Sequence, residues 1–533
     1  MDTQLLVLAA LLLLPLAAFL LAKQHGARER RGKNGARLPP GPPGLPLLGN
    51  LLLLRRYSFD MEALLRRLVA RHGPVVSLRA GPTLSIFIAD RRIAHAALVE
   101  SGATLADRPA VSRSLLGEGG NTISRSSYGP TWRLLRRNLV SETLHPSRVR
   151  LFSPARSWVR RVLAEMLGRE AEKAQQAQAR APPPPVMEAF RYAMFCLLVL
   201  MCFGERLGEP AVRAIAAAQQ EWLTFVAKNA TVLAFWPALT KILLRGRLEK
   251  GLAARRRQKE LFVPLIAARR ERKEKMSSGQ AGYAAAAAAQ TTFEHSYVDT
   301  LLDIKLPDEG NRALTDEEMA ILCSEFLTAG TDTTSTALQW IMAELVKNPE
   351  IQEKLYSEIK ETCDDDQEEV GEEDTHKMPY LKAVVLEGLR RHPPAHFLLA
   401  HMAAEDMEVG GYLIPKGATV NFTVAEIGWD EREWERPMEF VPERFLPGGG
   451  GDGDGVDVTG SREIKMMPFG VGRRICAGLG IAMLHLEYFV ANLVREFEWK
   501  EVPGEEVDLA EAREFTTVMK KPLRARLVRR TTG

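Results

Sequence analysis

The chain has 533 residues, of which 46% are hydrophobic and 26% are charged, and its formal net charge is +4. This composition is ordinary for a globular protein and allows most of the chain to fold around a large core. The charge balance is too even to favour nucleic-acid binding, which usually needs a concentrated basic face.

The first predicted element is a membrane anchor. Residues 5–22 carry no charge and are mostly Leu and Ala, and a helix of that length nearly spans a bilayer core of roughly 30 Å. A cleaved signal peptide is the alternative, but it needs a positive start and a shorter apolar run. The six Lys or Arg residues at 23–37 place the following chain in the cytosol. We therefore predict a transmembrane helix at 1–22.

Residues 23–44 are predicted to be a basic linker that ends in a hinge, Leu38-Pro39-Pro40-Gly41-Pro42-Pro43-Gly44. Prolines fix φ and glycines permit a sharp bend, so this run predicts a stiff turn where the anchor meets the folded body. Residues 45–533 show no internal repeat and no linker between two cores. The predicted fold class is therefore a single large domain, mainly α with minor β structure.

The body begins with a predicted hairpin and continues with long helices. Residues 75–79 and 84–88 flank Gly81-Pro82, which predicts two short antiparallel strands. Helical patterns cover 158–174, 188–203 and 211–227, and four prolines at 182–185 separate the first two. Three biased runs predict solvated loops: alanines at 284–289, acids at 364–374, and Gly with Asp at 448–455.

A further long helix is predicted from Thr315 to about Val346. Thr315 can cap it, and acids fill its first turn. Midway lies Ala329-Gly330-Thr331-Asp332-Thr333-Thr334, where Gly330 costs roughly 1 kcal/mol against alanine. Threonine hydroxyls at such a site can enter the backbone hydrogen-bond ladder and bend or open the helix. On these residues alone, a helix with one polar face explains the pattern equally well.

Five cysteines are present, and none forms a C-x-x-C pair, so neither a structural zinc site nor a disulfide framework is predicted. We expect Cys196, Cys202 and Cys323 to be small buried hydrophobes. Cys363 lies in an acidic run and is expected to be exposed. Cys476 differs from these four.

Cys476 ends a glycine-rich loop, Met467-Pro468-Phe469-Gly470-Val471-Gly472-Arg473-Arg474-Ile475-Cys476, and an apolar helical run follows at 479–494. A cysteine just before a helix feels the positive end of the helix dipole and the free N–H groups, which favour thiolate over thiol. Gly472 and Gly478 allow the backbone to approach a bulky partner. A thiolate beside the cation of Arg474 is what a haem with its propionates needs.

The same glycines do not form a dinucleotide-binding fingerprint. Gly470-x-Gly472 and Gly478-x-Gly480 lack the third glycine, because Ile475 and Met483 occupy those positions. The preceding strand and βαβ setting are missing as well, so this alternative is rejected.

The motif Phe469-x-x-Gly472-x-Arg474-x-Cys476-x-Gly478 resembles the haem-binding signature of the cytochromes P-450. Its five fixed positions should coincide by chance on the order of once in ten thousand chains of this length. The resemblance implies the cytochrome P450 fold and haem b (iron protoporphyrin IX), with Cys476 as the iron ligand. It also implies that Phe469, Gly470 and Arg474 contact the cofactor.

Other motifs along the chain fit the same family. Ala329 to Thr334 resembles its oxygen-binding motif, which implies that Thr333 hydrogen-bonds dioxygen and Asp332 helps to relay protons. Ala329 and Gly330 would leave room for oxygen and substrate over the iron. Trp132-x-x-x-Arg136 matches the family's W-x-x-x-R, whose two side chains usually meet a haem propionate.

Glu387-x-x-Arg390 is a spacing that usually marks a surface pair. Here the segment is otherwise mostly apolar, and Pro442-Glu443-Arg444-Phe445 resembles the family's PERF element. The resemblance implies that Glu387, Arg390 and Arg444 form a structural triad that braces the core around the cysteine loop. His401-Met402 departs from the His-Arg found in many relatives, so a propionate contact from that arginine is not expected.

The resemblance covers nearly everything from Leu38 onward and is to the plant microsomal A-type branch, family 89. It implies a monooxygenase of a hydrophobic organic substrate, anchored in the endoplasmic reticulum membrane with its catalytic domain in the cytosol. No flavin or nicotinamide motif is visible, so electrons are expected from a separate NADPH–cytochrome P450 reductase. Pocket walls are expected at 104–128, near Phe326, at 395–399 and at 515–518.

Two other functions remain as alternatives. One is a haem-thiolate isomerase or dehydratase of the same fold, some of which lack the threonine that this chain keeps as Thr333. The other is a haem-binding sensor without enzymatic activity, which would not need the acid–alcohol pair Asp332-Thr333.

Overall fold

The computed structural model of the protein describes residues 35–46, 48–57, 60–109, 121–176, 183–235, 245–278, 293–364, 366–448 and 456–530. The predicted anchor at 1–22, the loop at 284–289 and most of the loop at 448–455 lie outside the described residues. Within the ranges given, no helix has both the length and the apolar character needed to cross a membrane.

Helices dominate the described chain. They are α1 (Leu51–Arg56), α2 (Met61–His72), α3 (Arg91–His95), α4 (Pro130–Asn138), α5 (Pro146–Arg150), α6 (Ser153–Gln176), α7 (Met187–Phe203), α8 (Glu209–Phe235), α9 (Arg245–Ser277), α10 (Tyr297–Leu302), α11 (Asp316–Lys347), α12 (Pro349–Thr362), α13 (Glu372–Thr375), α14 (Pro379–Arg391), α15 (Val424–Gly428) and α16 (Leu479–Glu496). Short π-helical turns at Ala96–Glu100 and Leu139–Thr143 continue α3 and α4.

The strands are short. They are β1 (Val75–Ala80), β2 (Thr83–Ile88), β3 (Lys305–Leu306), β4 (Arg312–Ala313), β5 (His401–Met402), β6 (Met407–Val409), β7 (Tyr412–Ile414), β8 (Thr419–Phe422), β9 (Phe497–Lys500), β10 (Glu511–Arg513), β11 (Thr517–Met519) and β12 (Arg526–Arg529). The helix-rich fold with minor sheet structure therefore agrees with the predicted class.

The core is built around α11. A capping box starts this helix, because the hydroxyl of Thr315 accepts from the N–H of Glu318 and the Glu318 carboxylate accepts from the N–H of Thr315. The helix ends before Asn348-Pro349, as expected for a residue that precedes proline. It is almost wholly buried and packs against α7, α14 and α16. The predicted helix from 315 to 346 is confirmed to within one residue at each end.

The hairpin prediction is also confirmed. Strands β1 and β2 pair antiparallel from Val75↔Ile88 to Ala80↔Thr83, and Gly81 supplies the positive φ of 56° that the two-residue turn needs. Strand β8 adds to β2 in parallel and β5 then pairs with β8, giving the sheet order β1-β2-β8-β5. An isolated bridge between Asp107 and Met402 brings the chain after α3 beside β5.

The proline-rich hinge packs onto β1. The hydroxyl of Ser77 donates to the carbonyl of Pro39 at 2.8 Å, and the N–H of Ser77 donates to Pro40 at the same distance. A side chain at Gly41 would collide with the carbonyl oxygen of Ser77. The second half of the predicted linker is therefore part of the folded body, because the close approach of two backbones fixes it.

Two expectations around α12 and α13 are wrong. Cys363 is 7% exposed rather than exposed, because it packs into the main core at the end of α12. The acidic run is only partly solvated: Glu372 pairs with the fully buried Arg156, and Glu369 lies 2.8 Å from Arg160. The run is acidic because it compensates two guanidinium groups of α6, which single-sequence reasoning could not pair with it.

His396 lies between two carboxylates from distant parts of the chain. It is buried, with Nε2 3.5 Å from Glu511 of β10 and Nδ1 3.7 Å from Glu62 of α2. Burial alone would lower the pKa of His396, but Glu511 and Glu62 outweigh it and raise the pKa to about 9. Glu511 also lies 3.9 Å from Nδ1 of His392, and its interactions with His392 and His396 outweigh burial and lower its pKa to about 2.

Because the folded-state pKa of His396 is raised from 6.5 to about 9, its contribution to stability is complete below pH 6.5 and is lost as pH rises through about 9. We expect the thermal unfolding midpoint of wild type to fall over that interval, and His396→Gln to reduce the fall. The exposed His376→Gln is the control and should keep the wild-type slope. Parallel pH curves for wild type and His396→Gln would contradict this prediction.

Candidate active site

Cys476 closes a tight loop just before α16. Its N–H donates to the carbonyl of Phe469 at 2.8 Å, and its sulfur accepts from the N–H of Gly478, the residue that caps α16. Gly470 is buried with a φ of 69°, and its open side faces Leu398. The sequence motif therefore folds as a loop that presents one sulfur at the start of a buried helix.

The electrostatics of Cys476 differ from the expectation. Burial raises the pKa of the thiol, while the N–H of Gly478 and the charge of Arg136 lower it, and burial prevails. The N–H of Gly478 at the start of the helix therefore favours thiolate, as predicted, and burial of the sulfur opposes it. Protein surrounds this sulfur, yet the residue is accessible to solvent. Cys476 therefore lines a cleft within the protein. A metal ion that bonds the sulfur displaces its proton and supplies the stabilisation that burial withholds.

Gly472 is required by its surroundings on the other side of the loop. Its φ is 72°, and a Cβ atom there would collide with the carbonyl oxygen of Leu98. We expect Gly472→Ala to cost at least ~1–2 kcal/mol from the left-handed backbone alone, and to lower the haem content further by displacing the loop. Gly480→Ala, in α16 with nothing within 4 Å of the added atom, is the matched control and should retain haem. Equal haem content in both variants would show that the loop tolerates the displacement.

Arg474 and Trp132 meet beside this loop, as the two motifs together imply. The Arg474 guanidinium lies 4.3 Å over the Trp132 ring and donates to the carbonyls of Ala106 (2.7 Å), Ile123 (3.1 Å) and Ser126 (2.7 Å). The indole N–H of Trp132 also donates to the Ile123 carbonyl, at 2.9 Å. Arg474 thus fixes the chain before α4 as well as offering a charge beside the cysteine loop.

Arg108 is a candidate functional residue that sequence reasoning missed. It is 5% exposed and donates to the carbonyls of Ser124 (2.9 Å), Leu399 (2.7 Å) and Ala400 (2.9 Å). Burial, reinforced by the charge of Arg474, lowers its pKa to about 9. Nothing in the local sequence around Arg108 signals this position, because its partners come from segments far along the chain.

His401 belongs to the same cluster, although its neighbour Met402 does not carry a charge. Its Nδ1 lies 2.7 Å from the carbonyl of Leu105, so this nitrogen carries the proton that is donated. Burial, followed by the charge of Arg108, lowers the pKa of His401 to about 3. The imidazole is therefore neutral and adds a polar group without adding a further positive charge.

The donor set fits haem b. Arg108, Arg136 and Arg474 make no ion pair within 4.0 Å in the part of the chain that the structure describes, although Arg108 is buried and burial lowers the pKa of all three. Partly buried cations without a paired carboxylate are costly, and two propionates would neutralise them. The interaction of Arg136 with Cys476 places this cluster beside the sulfur. One thiolate ligand next to convergent arginines suits an iron porphyrin with acidic side groups.

The face of α11 that opens on the cleft is identified by exposure. Ala329 is exposed in the middle of an otherwise buried helix, and the Thr333 hydroxyl donates to the Ala329 carbonyl at 2.5 Å. Gly330 lies on a different side of the helix, against α7, because a Cβ atom there would be 2.7 Å from Leu198. Gly330 therefore permits two helices to pack closely, and the space expected over the iron is provided at Ala329.

Asp332 lies beside this face and is 7% exposed. Its Oδ1 is 3.4 Å from Nε of Arg191 on α7, and the other end of that guanidinium is 3.6 Å from Glu514. Burial raises the pKa of Asp332, Arg191 opposes the shift, and Glu514 adds to it. The three side chains connect the interior of α11 with the surface, where Glu514 is 55% exposed.

Glu387, Arg390 and Arg444 come together in the core. Glu387 and Arg390 are fully buried and joined by two hydrogen bonds of 2.6 and 2.8 Å, and Arg444 reaches the same carboxylate at 3.3 Å. Glu387 also accepts from the N–H of Val441 at 2.9 Å. The remaining guanidinium donors bind the backbone carbonyls of Gly428, Glu435, Arg436 and Glu439. The pair is therefore not a surface contact, and it ties α14 to the chain that precedes the cysteine loop.

A separate cavity of about 1130 Å³ lies between α6, α7 and β12, lined among others by Trp158, Tyr192 and Leu527. Its lining includes none of the predicted haem or substrate contacts. The candidate active site is defined instead by Cys476, the arginine cluster and the exposed face of α11.

A helical fold in which one accessible cysteine lies beside convergent arginines is suited to a haem-thiolate protein. The family model "Cytochrome P450" matches residues 39–528, and the chain belongs to the cytochrome P450 family. It is accordingly a haem b-dependent monooxygenase, as the sequence motifs predicted.

Relatives extend over nearly the whole chain. Cytochrome P450 89A9 of Arabidopsis thaliana is 44% identical and covers 92% of this chain and 93% of its own length. Ent-cassadiene C11-alpha-hydroxylase 1 of Oryza sativa subsp. japonica and flavonoid 3'-monooxygenase of Arabidopsis thaliana are each 31% identical. The first alignment covers 93% of this chain and 94% of the relative, and the second covers 96% and 95%.

Among solved structures, a zebrafish cytochrome P450 determined with progesterone superposes with a TM-score of 0.68. It is 23% identical, and the match covers 88% of this chain and 99% of that one. The likeness shows the cytochrome P450 fold.

Proposed function

We propose that the protein oxidises a hydrophobic organic small molecule, using electrons from a separate NADPH–cytochrome P450 reductase. The observation that carries this proposal is the opening in α11 at Ala329, which is exposed in the middle of a buried helix and accepts a hydrogen bond from the half-buried Thr333. Two relatives named as a flavonoid 3'-monooxygenase and an ent-cassadiene C11-alpha-hydroxylase support an organic substrate.

The chain's own residues divide the work. Bound haem supplies the oxygen-activating chemistry. Cys476 is the iron ligand, and Phe469 and Gly470 hold its loop in place. Trp132, Arg136 and Arg474, joined by Arg108, would hold the propionates, and His401 supports this cluster through its hydrogen bond to the carbonyl of Leu105. Ala329 keeps the cleft open, and the buried walls exclude bulk water, which strengthens every charge and dipole inside.

Proton delivery falls to Thr333 and Asp332. The Thr333 oxygen has lone pairs free to accept while its own proton points at the Ala329 carbonyl 2.5 Å away. A hydroxyl in this position can bind an ordered water and hand a proton into the cleft. The chain Asp332–Arg191–Glu514 leads from that position to the surface and offers a route for replacement protons.

We expect Thr333→Ala to keep haem and substrate-induced spectral shifts but to uncouple turnover, because neither binding event needs the proton. In a system reconstituted with reductase, and with a compound that shifts the haem spin state, peroxide released per NADPH consumed should rise severalfold. Asp332→Asn should slow NADPH-driven turnover about tenfold or more with the fold unchanged.

Thr331→Val is the matched control, because the Thr331 hydroxyl is buried on the same helix without a hydrogen-bond partner among the described residues. It should couple like wild type. If Thr333→Ala and Asp332→Asn also keep wild-type coupling and rate, the motif is structural and the assignment of proton delivery falls.

The protein is further proposed to act at the endoplasmic reticulum membrane, with residues 1–22 as a single anchor and the catalytic domain cytosolic. The apolar run, the basic stretch after it and the plant relatives support this. Protease treatment of intact microsomes should digest the catalytic domain, and its protection would reverse the topology. Reduction of the haem by NADPH should require added reductase. Reduction in its absence would contradict the proposal that a separate reductase supplies the electrons.

A further inference from the structure

Two turns before Thr333, the cleft-facing side of α11 carries a carboxylate. Glu325 accepts the N–H groups of Ile123 and Ser124, both at 2.8 Å, and the Ser124 hydroxyl. Residues 325, 329 and 333 are four apart, so they lie on one face of the helix. Glu325 therefore fixes the segment before α4 against the side of α11 on which Ala329 is exposed.

Two arginines lie against this carboxylate without pairing to it. Arg125 directly follows Ser124, and its Nη1 is buried with no hydrogen-bond partner among the described residues. Arg255 of α9 lies 3.7 Å over the ring of Trp222 and bonds the hydroxyl of Ser324, the residue before Glu325, at 3.3 Å. Its Nε is likewise buried without a partner in the described chain.

The charges in this cluster do not balance. In the ranges that the structure describes, neither Arg125 nor Arg255 has a carboxylate within 4.0 Å, and Glu325 is already the acceptor of three donors from another segment. Burial lowers the pKa of Arg255 to about 9, and the charge of Arg125 adds to this while Glu325 opposes it. Burial also lowers the pKa of Arg125. Two guanidinium groups and one carboxylate leave one uncompensated positive charge in a largely desolvated place, which is costly without an anion.

The position relative to the reacting centre follows from helix geometry. Eight residues separate Glu325 from Thr333, which is about 12 Å along the axis at 1.5 Å per residue. Glu325 and Thr333 are both half-buried on the side of α11 where Ala329 is exposed, so Glu325 lies toward the far end of the same cleft. A ligand that reaches from the haem to the cluster therefore needs an extended body of about that length.

We propose that Arg125 and Arg255 form an anion-binding subsite that selects hydrophobic substrates bearing a carboxylate about 12 Å from the oxidised carbon. Guanidinium groups match a carboxylate through paired N–H donors, and the unpartnered Nη1 of Arg125 and Nε of Arg255 are such donors. The inference rests on the proposed function, since it names the substrate class of that cleft.

The test uses two iron-binding probes that differ only at one end. An ω-(imidazol-1-yl)alkanoic acid and the corresponding alcohol both place the imidazole on the iron and shift the Soret band, and a chain of about ten carbons spans the distance estimated above. Titration of wild-type holoprotein should give a Kd for the acid at least about tenfold below that of the alcohol. Acids several carbons shorter should lose the preference.

Arg125→Gln and Arg255→Gln should each raise the Kd of the acid until it is close to that of the alcohol. The Kd of the alcohol should stay unchanged. Arg257→Gln is the matched control, because Arg257 lies on α9 but pairs at the surface with Glu221 at 2.6 Å. It should keep the wild-type preference. The reduced carbon monoxide spectrum of every variant shows whether the cleft is intact.

The outcomes separate the subsite from the proposed function. A Soret shift with equal Kd values for acid and alcohol on wild type overturns the subsite and leaves the monooxygenase intact. If both variants still bind the acid more tightly than the alcohol, other residues bind the carboxylate, and the proposed subsite is again overturned. Because the wild-type comparison needs no variant, failure of a variant to fold does not rescue the proposal. Absence of the thiolate–haem spectrum in wild type would instead defeat the proposed function.

Discussion

Cys476→Ser should abolish the thiolate–haem spectrum while the polypeptide still folds. Cys476 alone combines an exposed sulfur, the loop closed on Phe469 and the N-terminal end of α16; Cys196, Cys202, Cys323 and Cys363 are buried in the hydrophobic core. A serine oxygen keeps the size of the side chain but is a poor ligand for this iron, and it cannot supply the electron density of a thiolate. The measurement is the Soret maximum of the reduced carbon monoxide complex, strongly red-shifted in wild type.

Cys363→Ala provides the comparison, since it removes a thiol that lies in the core away from the cleft. It should keep the red-shifted band even if the yield falls. Retention of that band in Cys476→Ser would mean that another cysteine binds the iron, and the assignment of the site would fail.

Loss of one partner of the Glu387–Arg390 pair should leave almost no holoprotein. Both side chains are fully buried, and Glu387 also satisfies Arg444 and the N–H of Val441. Glu387→Ala or Arg390→Ala leaves an uncompensated buried charge, which costs roughly 3–5 kcal/mol. That is a large part of the stability of an ordinary domain. Yield, haem content and unfolding midpoint are the quantities to measure.

Lys377→Ala tests whether the effect comes from burial rather than from spacing. Lys377 pairs with Asp374 at 2.9 Å with the same three-residue separation, but its side chain is 65% exposed. Its removal should leave the yield, the haem content and the unfolding midpoint close to those of wild type, because exposed ion pairs contribute little. Comparable losses from Lys377→Ala and Arg390→Ala would contradict the role given to the buried pair.

Sequence reasoning predicted those parts of the fold that are determined by residues close together in the chain. The capping box at Thr315, the Gly81-Pro82 turn and the apolar run of α7 each depend on neighbours within a few residues. The central helix and the hairpin could therefore be predicted almost to the residue. Exposure of Cys363 was mispredicted because its surroundings are acidic along the chain but apolar in space.

The site divides in the same way. Cys476, Trp132 and Thr333 belong to spaced motifs and could be named in advance. Arg108, Arg191 and Glu325 could not, because each acquires its role from a partner at least 100 residues away: Leu399, Asp332 and Ile123, respectively. Gly330 is a third case. Its lack of a side chain was predicted to leave room over the iron, but in the structure it allows close packing against Leu198 of α7.

The segment 121–126 is bonded on both of its edges. Its N–H groups are held by Glu325 of α11, and its carbonyls are held by Arg108, Arg474 and Trp132. The arginines proposed to face the propionates and the segment proposed to frame the far end of the cleft are thus one connected unit. By thermodynamic linkage, whatever effect cofactor binding has on substrate affinity, substrate binding has the same effect on cofactor affinity. Cofactor affinity and substrate affinity are therefore expected to be coupled through this segment, and a substitution that removes one of these contacts to its backbone should alter both.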